Sequence, residues 1–179
     1  MLEIDNFILH EKVPADLLSR YRDSLPTQII SIWENYGFGA FLDGYLKVIN
    51  PEELSSLLKD SFDLWDESCI VLFATSMADL VVYKNSYLYF LNFRYSKFEV
   101  IAKDVKFFFI DIQDESFLDE ELEWEPYLKA KKTLGEPAFD ECFGYEPILA
   151  AGGSEKVENL RRLKLKEHIS VITQFAGKI

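Results

Sequence analysis

The sequence predicts an α+β fold: a helical N-terminal part carrying a β-hairpin, then an antiparallel sheet flanked by helices. Three observations predict it. Proline-opened segments with apolar residues at helical spacing fill the front of the chain. Short aromatic-rich runs separated by turn signals fill the middle. A closing segment returns to helical spacing, so helices sit at both ends of the strands rather than alternating with them.

Taken in order, Pro14 opens a segment with Leu17, Leu18, Tyr21 and Leu25 on one helical face. Pro26 opens a second, with Ile29, Ile30, Ile32, Trp33 and Tyr36 as its apolar face and Gly37 as its stop. Asp43-Gly44 lies between two aromatic-rich runs, a strong short-range hairpin signal. Asn50 is placed as an N-cap and Pro51 at the first helical position of a helix with Leu54, Leu57, Leu58 and Phe62 on its inner face. Four strands follow between Cys69 and Ala102, joined by turns at Asn85-Ser86 and Tyr95-Ser96. Connections this short imply an antiparallel meander. The run from Asp104 onward fits a strand or a buried helix, and periodicity does not decide between them. One helix is expected from about residue 117 to 134, ended by Gly135 with Pro137 beyond. After a loop come a short strand at 160–165 and a final helix containing His168, Ile169, Ile172 and Phe175. The change in texture near Asp66 divides the chain into regions 1–66 and 67–179.

The chain has 179 residues, enough for a core without disulfide staples, and 49% of them are hydrophobic. Its 19 Lys plus Arg against 31 Asp plus Glu give a net charge of −12. That balance argues against direct nucleic-acid binding, because phosphates must be met with cations, and fits a basic partner. No apolar run approaches a membrane span, and MLEIDNFILHEKVP lacks the charged and apolar regions of a signal peptide. With Cys69 and Cys142 as the sole cysteines, the expectation is a cytoplasmic protein with reduced thiols.

Catalytic patterns find little support. His10 and His168 are the only histidines, no HExxH or CxxC occurs, and a metal site is not expected. The acidic run Asp111, Asp114, Glu115, Asp119, Glu120, Glu121, Glu123, Glu125 lacks the central glycine of a calcium loop and carries Phe117 and Leu118 in its middle, so it reads as a solvated helix face. Cys142 stands between Glu141 and Phe143, a setting that raises a thiol pKa. Gly152-Gly153-Ser154 is no P-loop. No catalytic residue and no cofactor is assigned.

Two longer motifs remain. WENYGFGAFLDGYLKVINPEEL, residues 33–54, resembles the core of the GAD-like domain through Trp33, Gly37, Gly39, Asp43, Gly44, Tyr45, Asn50 and Pro51. LGEPAFDECFGYEPILAAGGS, residues 134–154, with the later Glu167-His168, resembles the C-terminal domain of type VI secretion DNase-immunity proteins through Glu141, Gly144, Tyr145, Pro147, Gly152 and Gly153. The chain departs from the second pattern in having Ala151 before the glycine pair and a longer acidic stretch at 111–125. Each motif residue also has a reading in turns and core packing, so the motifs mark the family through its fold.

The resemblance implies a non-enzymatic immunity protein whose partner is a cognate nuclease toxin, held by occluding its basic active-site or DNA-binding groove. The densest acidic patches, each with an aromatic anchor, are the expected contact surfaces. One is Asp60, Asp63, Trp65, Asp66 and Glu67; the other is Asp114, Glu115, Asp119, Glu120, Glu121, Glu123 and Trp124. The last 25 residues hold 3 acids against 6 bases and are not the expected docking face. The alternatives are an interaction or regulatory module without a toxin and, behind it, a small-molecule enzyme.

Overall fold

The computed structural model describes residues 3–179; Met1 and Leu2, part of the segment read for a signal peptide, lie outside it. The fold is α+β. Seven strands form one antiparallel sheet in sequence order: β1 (Ile8–Glu11), β2 (Phe38–Phe41), β3 (Leu46–Val48), β4 (Ile70–Thr75), β5 (Leu80–Lys84), β6 (Tyr87–Asn92) and β7 (Lys97–Ala102). Helices α1 (Ala15–Tyr21) and α2 (Thr27–Asn35) connect β1 to β2, and α3 (Pro51–Ser61) connects β3 to β4. The hairpin and the meander are therefore one sheet, which runs across residues 66–67 through the pairing of Leu46 with Thr75.

Alternation along the strands separates two cores. Leu46, Val48, Val81, Leu88 and Phe90 face a cluster with Leu17, Ile29, Trp33, Phe108 and Tyr127. Val71, Leu80, Val82 and Leu91 face a second cluster with Leu54, Leu58, Ile169 and Ile172. Both sheet faces are thus covered. Burying each of these large side chains stabilises the fold by about 1.5–3 kcal/mol before entropy is counted.

Most elements follow their local chemistry. The Asn50 side chain accepts from Glu52 N–H at 3.1 Å and caps α3, with Pro51 at its first position. The 42–44 turn has positive φ at Leu42, Asp43 and Gly44, as a tight hairpin requires. The aromatic run after Asp104 is helical: α4 (Val105–Asp111), capped by the Asp104 carboxylate on Lys106 N–H at 2.8 Å.

Two expectations are corrected, and one strand is added. The single helix over 117–134 is two, α5 (Glu115–Glu120) and α6 (Glu125–Leu134). The chain breaks at Glu123, which has φ +53, and Pro126 can stand only in the first turn of the next helix. The 135–159 region is not all loop. Strand β8 (Glu141–Tyr145) pairs antiparallel with β9 (Leu160–Lys164) as a separate two-stranded sheet, which runs into α7 (Leu165–Ala176). β1 had no counterpart in the sequence reading, because its four residues are all exposed and show no alternation.

Candidate partner-binding surfaces

The first acidic patch stands where α3 ends and the chain turns into β4. Asp60, Asp63 and Glu67 are exposed, and among the described residues none of the three is in an ion pair. The Asp63 N–H is held by the carbonyl of Ile179 at 2.7 Å. Asp66 is already engaged: its carboxylate pairs with Lys84 at 2.6 Å and accepts from Ser68 N–H at 2.8 Å. Lys84 and Ser68 together hold this carboxyl down at about 2. Trp65 is half-buried, with the Lys59 ammonium 5.0 Å from its ring centroid. The patch borders an open groove of about 650 Å³ that reaches to Tyr83 and the 85–86 turn.

The second patch lies on α5 and the break after it. Asp114 caps α5 by accepting from Ser116 N–H at 2.9 Å, which lowers its pKa. Glu115, Asp119 and Glu120 are exposed, and Glu121 is half-exposed. Glu123 points to cations instead, 3.3 Å from Lys97 and 4.0 Å from Arg94. Trp124 turns inward, edge-on to Tyr45 with ring centroids 6.1 Å apart. Trp65 and Trp124, the expected aromatic anchors, are each half-buried, Trp65 packed against one core and Trp124 against the other.

The two patches stand at opposite ends of the sheet. Asp66 is tied to Lys84 beside the β5–β6 turn, whereas Glu123 is tied to Arg94 and Lys97 at the β6–β7 turn. The six residues of β6 separate those turns, a span of roughly 20 Å.

The motif residues are placed by packing. Trp33 is wedged edge-on between Tyr21 and Phe38, at 5.6 and 5.5 Å. Gly37 and Gly39 lie where β2 passes β1, each backing onto a β1 carbonyl. The hairpin turn clasps the C-terminal segment. The Asp43 carbonyl accepts from Tyr127 Oη and Lys131 Nζ, both at 2.7 Å, and the Asp43 carboxylate pairs with Lys131 at 2.8 Å. Tyr45 is fully buried and donates its hydroxyl to the Leu122 carbonyl at 2.5 Å. In the second motif, Glu141 accepts from Ala138 N–H at 3.0 Å, and Gly144 lies under the His168 ring. Tyr145 is buried, Pro147 follows a cis peptide bond, and Gly152-Gly153 close the turn back to Ile148.

Sequence reasoning missed the buried polar contacts, an ion pair within the sheet and a lysine bonded to the C-terminal segment. Asp79 and Arg94 pair at 2.7 Å with both side chains almost wholly buried. Burial raises the Asp79 carboxyl above its usual range, against the opposing pull of the Arg94 guanidinium and the Thr75 hydroxyl. Lys47, also buried, donates to the Ala138 and Glu141 carbonyls at 2.9 and 2.5 Å, and desolvation pushes it down to about 8. The Ser76 carbonyl accepts from Phe143 N–H at 2.7 Å, which fastens β8 to the β4–β5 turn. A lone lysine between Leu46 and Val48 in a strand was the one signal available for Lys47; Asp79 and Arg94 gave none.

Residues 2–90 match the GAD-like domain, and residues 102–176 match the family described as T6SS immunity protein Tdi1, C-terminal. The chain therefore belongs to the type VI secretion immunity proteins, built as a GAD-like domain followed by the Tdi1 C-terminal domain. A solved structure, that of Atu4351 from Agrobacterium tumefaciens, has the same fold, with a TM-score of 0.76 over 94% of this chain and 85% of that one at 17% identity. No curated protein matches the chain.

Proposed function

We propose that this chain neutralises a cognate secreted nuclease toxin in the cytoplasm by binding across its basic active-site or DNA-binding groove, without catalysis of its own. The family assignment carries this reading. The physics supports it. A nuclease presents cations to DNA, and a partner of charge −12 is drawn to the same cations. The free carboxylates of Asp60, Asp63 and Glu67 at one end of the sheet, and of Glu115, Asp119 and Glu120 at the other, are candidate contacts. The Cys142 thiol is held protonated, because burial pushes it up to about 12.

The test is co-expression with the toxin encoded by the neighbouring gene. Restored growth together with co-purification of the two proteins supports the reading. Continued killing, with both proteins present and folded, overturns it.

A further inference from the structure

An apolar groove of about 570 Å³ runs between α7 and residues 145–151. Val171 and Phe175, one turn apart on α7, line it while 51% and 62% exposed, and Ile148 and Leu163 continue its floor. Side chains of this size are seldom left so open side by side unless a partner covers them. The rim is acidic. Glu146 and Glu167 have no ion-pair partner among the described residues. The one lysine or arginine lining the groove among the described residues, Lys164, is taken by Asp140 at 2.7 Å and Glu141 at 3.6 Å.

Apart from Lys164, none of the Lys and Arg bases in the last 25 residues lines this groove. Lys166 pairs with Glu53, Arg161 and Arg162 donate to the carbonyls of Glu158 and Glu136, and Lys178 donates to that of Lys59. The single-turn 3₁₀ segment Phe93–Tyr95 touches both α7 and the 149–151 turn, and Tyr95 enters a second hollow lined by Asp119 and Glu155. The same short segment thus borders both the walls of the groove and that acidic hollow.

Resting on the toxin-binding reading, we propose that this groove is the anchor site for the toxin. It receives an apolar side chain from a toxin segment whose flanking Lys or Arg residues meet Glu146, Glu167 and Asp119. The apolar contact sets how long the complex lasts, and the carboxylates set how fast it forms.

The experiment uses the full chain and the purified, catalytically inactivated product of the neighbouring toxin gene. Val171→Asp with Phe175→Asp changes only exposed positions, and thermal melting checks that the fold is kept. This double variant is expected to weaken toxin binding about tenfold or more through faster dissociation. Glu146→Lys with Glu167→Lys is expected to slow association at low salt and to match the parent at high salt. Parental affinity and dissociation in the Val171/Phe175 variant overturn the groove assignment while leaving the toxin reading intact. Failure of the unaltered chain to bind overturns the toxin reading itself. A parental dimer that the same variant splits, with toxin affinity unchanged, assigns the groove to a second copy of this chain and also overturns the proposal.

Discussion

The His168 imidazole occupies the space that a side chain at residue 144 would need: a Cβ on Gly144 would lie 2.1 Å from Nε2. Two motif residues 24 positions apart in sequence thus exist for one contact, a helix of the C-terminal unit pressed on the backbone of β8. Gly144→Ala is expected to destabilise the protein by about 1–3 kcal/mol through overpacking. His168→Ala in the same chain should recover part of that loss. Denaturant unfolding of both single variants and the double gives the coupling.

The same histidine makes stability depend on acidity. Desolvation lowers its pKa from 6.5 to about 4. The unfolded chain then binds a proton that the folded chain refuses. Stability from this site is complete above the unfolded value and is lost as the pH falls from 6.5 through about 4. The loss amounts to roughly 3 kcal/mol. His168→Gln should flatten the stability profile across that window relative to the parent, and an unchanged difference between the two would remove His168 as its source.

Arg94 and Asp79 form a buried pair, so removing one partner strands the other. Arg94→Met is expected to cost about 3–5 kcal/mol, whereas Asp79→Leu with Arg94→Met should cost much less than the sum of the two single changes. Thermal or chemical melts measure this directly.

The clasp at the hairpin turn predicts unequal costs for two tyrosine changes. Tyr45→Phe removes the donor to the Leu122 carbonyl, and Tyr127→Phe removes one of two donors to the Asp43 carbonyl. The first is expected to cost about 1–3 kcal/mol, because a buried acceptor is left bare. The second should cost less, because Lys131 still serves Asp43. Faster proteolysis around residues 120–125 in the Tyr45 variant would report loosening of that junction.

Charge reversal separates the two ends of the sheet. Asp63→Lys with Glu67→Lys tests one end, and Asp119→Lys with Glu120→Lys tests the other. The second pair is expected to slow toxin association at low salt more than the first, since Asp119 lines the hollow that Tyr95 enters and the Phe93–Tyr95 segment touches α7. Asp66→Asn should matter little, because Lys84 already neutralises that carboxylate.

Elements whose signals are local could be read before the fold was known. Asn50-Pro51 announces α3, Asp43-Gly44 announces the hairpin, and Gly135 ends α6, because caps and turns draw on neighbours in sequence. β8 could not be read: Glu-Cys-Phe-Gly-Tyr becomes a strand by pairing with β9 and accepting Lys47 and His168 from elsewhere. The break between α5 and α6 was legible in Pro126, but the acidic run around it suggested a continuous helix face. The candidate surfaces were legible as charge and not as shape. A charge count of the last 25 residues gives six bases against three acids, but it does not show that Lys164 is paired with Asp140 and Lys166 with Glu53.

The clasp of the 43–45 turn on Leu122, Tyr127 and Lys131 bears on how such proteins can diversify. A chimaera that splices the front of one homologue to the back of another inherits only half of this fastening. Recombination between relatives would be tolerated where both parents carry matching halves, while drift in the outward-facing carboxylates stays unconstrained by it. New toxin specificities would then arise more readily by repainting the exterior than by shuffling the modules.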